Sequence, residues 1–198
     1  TQSTRSYMNL KIPIITIDHI IDESVPSVTS DNIQGGEIAA RKLIELGAKK
    51  IIHFRGPSVL ITVIDRAKGF YDVMEKHNIE VNSFDLDFKT PDLHDIEVFL
   101  KKHPDVDGIF CSSDIIAMYV ISVLQRLGYK IPEDVQVIGY DNIQLSEVLL
   151  PRLTTIAQPI LEMGSKTVEN LLNLVDKKEL TQLHQTLPVT LVERDTTK

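Results

Sequence analysis

An α/β fold of doubly wound parallel sheets is what this sequence predicts, on three observations. Apolar runs of strand length alternate with amphipathic runs of helix length through most of the chain, the rhythm of a parallel sheet with covering helices. The stretch Asp107–Asn142, DGIFCSSDIIAMYVISVLQRLGYKIPEDVQVIGYDN, reads as strand, turn, helix, loop and strand, and a crossover of that kind is right-handed almost without exception. Its second strand, Val135–Tyr140, is too apolar to have one wet face, so helices must cover both faces.

Residues 1–11 show no clear periodicity. Ile12–Ile17 is an apolar strand closed by Asp18, and Val25–Thr29 a short strand after a turn-rich segment. Asp31 or Asn32 can cap a helix to Leu46, with Ile38, Leu43 and Ile44 inward and Gly47 past its end. Lys50–Phe54 is the next strand and Arg55–Ile61 a loop. The following helix, Val63–His77, turns Val63, Ala67, Phe70 and Met74 inward, which sets Arg66 just past a strand's carboxyl edge. Ser83–Phe88 is a further strand. Thr90-Pro91-Asp92 offers a capping hydroxyl and a first-turn proline for a helix to Lys102, with Leu93, Ile96 and Leu100 inward. In the central unit Ser112, Ser113 and Asp114 can cap a helix that buries Ala117, Val120, Leu124 and Leu127 and stops at Gly128. Ile143–Thr155 reads as a polar, irregular connection. Ile160–Val175 is a long amphipathic helix with Ile160, Met163, Thr167, Leu171 and Leu174 on one face, and Leu187–Val192 alternates like a strand.

With 198 residues and 42% hydrophobic content the chain can bury a substantial core, as one large domain or two small ones. A net charge of −7 argues against a nucleic-acid surface within it, because phosphate binding needs a clustered basic footprint. The single cysteine, Cys111, excludes an intramolecular disulfide and fits a reducing compartment. No run approaches the roughly 20 apolar residues that span a bilayer, and the polar start is not a signal peptide; the expected location is the cytoplasm, with no membrane partner. The six histidines show no metal-binding spacing. Gly35-Gly36 lacks a nucleotide-binding context, and no serine sits in a nucleophile elbow. No cofactor, no metal and no enzymatic activity are expected.

In open parallel sheets, ligands bind outside the carboxyl ends of the strands, and both Asp114 and Asp141 fall at that edge. Each also has a plain structural reading, Asp114 as a helix cap and Asp141 as the start of a turn. Here the sequence resembles the lactose-repressor (LacI/GalR) family. FCSSDIIAMYVISVLQRLGYKIPEDVQVIGYDN is similar to its helix, G-x-x-(I/V)-P-E-D-V turn and strand ending in G-(Y/F)-D. IPIITIDH, SVTSDNIQGGEIAARKLIELGAKKIIHFRGP, PRLTTIAQPILEMG and LPVTLVERDTT resemble further family segments in the right order.

The resemblance implies a periplasmic-binding-protein-like sensor of two subdomains, the first incomplete here: 1–30 with 143–178, then 31–142 with 179–198. A helix-turn-helix is expected outside this chain. A sugar site wants carboxylates to accept hydroxyl protons, a guanidinium to donate, and an aromatic face. Asp141 matches the family's effector-contacting aspartate. Arg66 matches the arginine of R-x-x-G-F, here RAKGF with Gly69 and Phe70; on position alone it could equally be a surface arginine paired with Asp65 or Glu75. Phe88 matches an aromatic that faces the effector, or is core. Asp31 and Asp18 match acidic contacts of some members, or simply cap and turn the chain. Thr62, Met163, Ser113 and Asp114 complete the candidates, with Ser113 standing where an asparagine is common. The expected function is the effector-sensing, dimerising part of a sugar-responsive transcriptional repressor. It would form a homodimer and reach operator DNA only through the helix-turn-helix. The rivals are a transport-type sugar-binding protein of the same fold and, more remotely, a Rossmann-like enzyme.

Overall fold

The computed structural model describes residues 12–198; the reading of residues 1–11 lies outside them. The strands are β1 (Thr16–Ile17), β2 (Ser27–Ser30), β3 (Ile51–Arg55), β4 (Val81–Asp85), β5 (Gly108–Cys111), β6 (Gln136–Asp141), β7 (Thr154–Ala157), β8 (His184–Leu187) and β9 (Thr190–Val192). The helices are α1 (Asn32–Glu45), α2 (Ile61–Lys76), α3 (Leu93–Lys102), α4 (Asp114–Arg126) and α5 (Ile160–Val175), with a 3-10 turn at Gln144–Glu147. The chain forms two compact units: a smaller one of the described residues up to Asp31 with Pro159–Pro188, and a larger one of Asn32–Gln158 with Val189–Lys198.

In the larger unit the sheet order is β4-β3-β5-β6-β7-β9, parallel throughout except for the antiparallel β7–β9 pair. The central strands are buried along almost their whole length. Because strand side chains alternate between faces, Ile51, Phe110, Ile138 and Tyr140 join α1 and α2 in one core, which also holds Phe70 and Met74. Ile52, Phe54, Ile109, Cys111 and Val137 join α3 and α4 in the other. The chain leaves β3 toward β4 on one side and returns to β5 on the other, so the order reverses at β3. The carboxyl edge beside β3 and β5 is therefore the natural place for a ligand crevice.

The smaller unit has a parallel sheet of order β1-β2-β8 among the described residues, and α5 packs on β1 and β2. Met163 and Val28 are fully buried there. The helix occupies the expected residues, and Thr167, Leu171 and Leu174 of the expected face are half-buried. Met163 and Asn170 are buried while Ile160 is 56% exposed, because Ile160 opens the first turn, at the margin of the packed face.

Three elements depart from expectation for identifiable reasons. β7 (Thr154–Ala157) begins inside the segment Ile143–Thr155 read as irregular. Thr154 and Thr155 look like loop residues, but both are fully buried with their hydroxyls bonded, Thr154 to Thr197 and Thr155 to Asp114. Leu187–Val192 is two strands rather than one. Pro188 carries no N–H and breaks the run, so His184–Leu187 pairs with β2 while Thr190–Val192 pairs with β7. These two facts move the boundary between units: 143–158 belongs with the larger unit and 179–188 with the smaller, contrary to the division at 143–178 and 179–198. Helix α3 starts later than expected. Its cap is Asp92, whose carboxylate accepts from His94 N and Asp95 N at 2.7 and 3.3 Å, rather than Thr90. Gly47 and Gly128 take φ of +81 and +89° beyond α1 and α4, as helix-ending glycines should.

Helices α1 and α2 meet backbone to backbone. A Cβ on Gly36 would collide with the Arg66 carbonyl oxygen, and one on Gly69 with the Ile33 carbonyl oxygen. Gly36→Ala and Gly69→Ala should each destabilise the protein by about 1–3 kcal/mol through forced separation of the helices. Gly164→Ala, in α5 with open space around its Cα, should stabilise by roughly 0.5–1 kcal/mol. Denaturant unfolding of the three variants checks both signs.

Candidate functional site

The carboxyl end of β6 carries Asp141 at φ 108° followed by Asn142 at φ 53°. Asparagine tolerates the left-handed region, but aspartate at 108° lies outside it and is strained. The surroundings hold the turn. Asn142 N donates to Thr155 Oγ1 at 3.3 Å, and Ile143 N to Asp114 Oδ2 at 2.9 Å. Backbone strain of this kind concentrates where a side chain must be aimed, and here it aims Asp141, whose side chain stays 29% exposed.

Arg66 meets Asp141 from α2. Its guanidinium is buried rather than on the surface; the residue is 4% exposed. Nε donates to Asn32 Oδ1 at 2.8 Å, and one terminal nitrogen donates to the Ser112 carbonyl at 2.6 Å. The same nitrogen lies 3.5 Å from Asp141 Oδ1. The guanidinium carbon sits 3.6 Å above the centre of the Tyr140 ring, where the ring's negative face attracts a cation. Gln158 adds a donor, Nε2 to Asp141 Oδ1 at 2.7 Å. Phe88 is half-buried and its ring covers Gly56, where any Cβ would strike it. Thr62 is half-buried in the first turn of α2, one turn before Arg66.

The pair Ser113-Asp114 is engaged by the fold, in keeping with the structural reading of that edge. Ser113 is the cap of α4, its hydroxyl accepting from Ile116 N at 3.2 Å. Asp114 is fully buried and ties the β6–β7 connection to α4 by accepting from Thr155 Oγ1, Ser146 Oγ and Ile143 N at 2.6, 2.7 and 2.9 Å. Burial raises its pKa, and these hydrogen bonds act in the opposite direction. Met163 is fully buried in the smaller unit. Asp18 (φ 69°, exposed) and Asp31 (half-buried) belong to that unit too, their backbone N–H groups bonded to Val28 and Leu187 carbonyls.

Four polar partners of the site were not singled out from sequence: Asn32, Tyr140, Ser112 and Gln158. Tyr140 and Gln158 lie inside the family-like segments GYDN and PRLTTIAQP, and that is the signal that could have found them. His53 is also new. It is buried on β3, stacked on Phe110 at 4.7 Å, with Nδ1 3.1 Å from Tyr71 Oη and Nε2 2.9 Å from Ser112 Oγ. Hydroxyls can donate or accept, so a neutral imidazole is satisfied in either tautomer. Burial, helped by the Arg55 charge, pushes its pKa from 6.5 down to about 3. Among the described residues no group of three or more His, Cys, Asp or Glu could hold a metal ion, and no helix is long and apolar enough to cross a membrane.

A sheet-edge site of carboxylate, arginine and aromatic on a doubly wound frame is a binding architecture. A family model described as a periplasmic binding protein-like domain matches residues 40–197. A regulator from Alkaliphilus metalliredigens, solved with D-xylulofuranose, is 32% identical with a TM-score of 0.89, over 98% of this chain and 74% of that one. A LacI-family regulator from Enterococcus faecalis V583, solved with ribose, is 33% identical with a TM-score of 0.86, over 99% and 71%. The chain therefore belongs to the periplasmic-binding-protein-like domain family, among its LacI-type transcriptional regulators. Among curated proteins, the ribose operon repressor of Halalkalibacterium halodurans is 35% identical over 195 residues, 98% of this chain. The chain spans 59% of that relative's length.

The histidine has a pH signature. Below 6.5 the unfolded chain takes up a proton that His53 in the folded protein refuses until about pH 3, so its contribution to stability is present above 6.5 and lost as pH falls through this window. The loss should reach a few kcal/mol, on the order of 1.4 kcal/mol per unit. Unfolding curves from neutral pH to about 3 should be flatter for His53→Gln than for the wild type; Asp114, whose raised pKa acts with the opposite sign, cancels in the difference.

Proposed function

We propose that this chain is the effector-sensing part of a LacI-type transcriptional repressor and that its effector is a small sugar, a pentose such as ribose. The observation that carries the reading is the Asp141 carboxylate, held at a strained strand end by Arg66 and Gln158 and still partly exposed. An ionised carboxylate accepts paired sugar hydroxyls through charge-assisted bonds. Arg66 orients it, Phe88 offers a ring edge for the apolar face of the sugar, and Thr62 a hydroxyl. The relatives that carry bound ribose or xylulose and the ribose operon repressors support this choice of ligand. Their naming as regulators favours sensing over transport.

In this reading no covalent chemistry occurs. The sugar binds one of two conformational states better, and that difference changes how a DNA-binding part elsewhere in the protein is presented to its operator. The assembly is a homodimer in the cytoplasm, for which the exposed Leu145, Val148 and Leu150 of the larger unit offer apolar surface.

Titration of the full-length protein with ribose and related pentoses tests the reading. Asp141→Asn and Arg66→Ala should each weaken binding by about 1.5–3 kcal/mol, because each removes a charge-assisted interaction of the buried cluster. Unchanged affinity in both variants, with folding intact by circular dichroism, would assign the two residues to structure alone.

A further inference from the structure

We propose that Arg194, near the end of the chain, is a positioning residue for the effector site: it clamps the Asp141–Asn142 turn in the backbone conformation that presents the Asp141 carboxylate. The inference rests on the reading of Asp141 given above and concerns a residue that touches no ligand in it. Arg194 has a side chain only 9% exposed. One terminal nitrogen donates to the Leu153 carbonyl at 2.8 Å, and the other to Asn142 Oδ1 at 2.8 Å and to Glu147 Oε1 at 3.2 Å. Its backbone N donates to Thr154 Oγ1 at 2.8 Å. A single planar fork thus joins the residue after Asp141, the 3-10 turn and the start of β7.

The clamp is itself fixed. Asp195 pairs with both Arg152 Nε and a terminal nitrogen at 2.7 and 2.9 Å. Thr196 Oγ1 donates to the Val137 carbonyl at 2.7 Å and accepts from Thr154 N at 2.9 Å. The tail is therefore laced to β6 and β7 on either side of the turn, and Arg194 reaches Asn142 from a rigid base. Two successive residues at positive φ persist only when their surroundings over-determine them. The Asn142 side chain is the handle by which this happens, since its backbone N has only the longer 3.3 Å bond to Thr155. Lysine would not reproduce the clamp, because its single nitrogen lacks the planar fork whose two terminal nitrogens meet the Leu153 carbonyl and Asn142 Oδ1 separately.

The test uses full-length protein in four forms: wild type, Arg194→Met, Asn142→Gly and the double variant. Glycine keeps positive φ at position 142 without help and has no side-chain oxygen for Arg194 to hold, so in that background the Arg194–Asn142 contact is already absent. Arg194→Met should weaken ribose binding by about tenfold in the wild-type background, and much less in the Asn142→Gly background. An arginine that merely stabilises the fold would cost the same affinity in both backgrounds, and that result would overturn the proposal. Amide hydrogen exchange without sugar supplies the independent readout. Arg194→Met should speed exchange at Asn142 and Ile143 while leaving the α2 amides unchanged; no local change there would also overturn the clamp. If the wild type binds no pentose, the effector reading fails, while the exchange result still decides the clamp.

Discussion

The close approach of α1 and α2 is the constraint on which the site depends. Gly36 lies against the Arg66 carbonyl and Gly69 against that of Ile33, so each helix presents a bare backbone where the other needs room. The contact fixes the depth of Arg66. A helix pushed outward by one methyl group on each side would lift the guanidinium off the Tyr140 ring and away from Asn32 Oδ1 and the Ser112 carbonyl. Gly35 repeats the logic, since a Cβ there would occupy the space of the Tyr140 ring edge. Small residues in α1 thus set the position of an aromatic on β6 and of a cation on α2. A buried guanidinium is costly unless every side of it is answered, and here a carboxylate, an amide oxygen, a carbonyl and a ring face answer it.

Asp114 and Asp141 are the same residue type at the same sheet edge, and their surroundings separate them. Asp114 is enclosed and accepts two hydroxyls and a backbone N–H, so its oxygens are spent joining the β5–α4 corner to the chain after β6. Gly139 stands beside it, and a Cβ at that position would collide with its Oδ1. Asp141 emerges at the end of the strand with its side chain partly exposed. One carboxylate builds the edge and the other is presented by it. His53 belongs with the first kind: through Ser112 it supports the residue whose carbonyl receives Arg66, and it works as a neutral, hydrogen-bonded core group.

The parts of this arrangement legible in sequence are those that burial writes in apolar residues. Val135–Tyr140 and Lys50–Phe54 announce strands because both faces are covered, and the structure moves their limits by a residue at each end. Where burial is achieved with polar side chains the signal inverts. Thr154 and Thr155 read as loop until Asp114, Thr196 and Thr197 are known to satisfy them. Periodicity cannot show that Pro188 divides LPVTLV between two sheets, because both halves alternate alike. Arg66 and Asp141 were legible through the motifs RAKGF and GYDN. Their partners Asn32 and Gln158, 34 and 17 positions away in the chain, show nothing of the role by residue type, since an asparagine opening a helix and a glutamine before a proline are ordinary boundary residues; for Gln158 only the family-like segment around it is a signal. Ser113 and Asp114 show the converse ambiguity: a polar pair at the right edge reads equally as contacts or as caps, and in the fold Ser113 caps α4 while Asp114 joins the β6–β7 connection to it.

Arg66, Asp141, Gln158 and Tyr140 are bonded or stacked with one another inside one compact unit. Such a cluster is preorganised: in the proposed reading a sugar hydroxyl donating to Asp141 would find the carboxylate already aimed, so little entropy would be lost in ordering the protein around it. Preorganisation has the same value in every conformational state that leaves the cluster intact, and a ligand shifts an equilibrium only by its difference in affinity between states. The cluster therefore supplies affinity and orientation and by itself no bias. The bias must arise where partners change between states, either in groups outside the cluster or in the one place inside it that stores strain. Asp141 and Asn142 at positive φ are that place. A conformational change that loosened the turn would relax the strain and spoil the presentation of the carboxylate together, so the strained turn is where effector binding and conformation can be coupled.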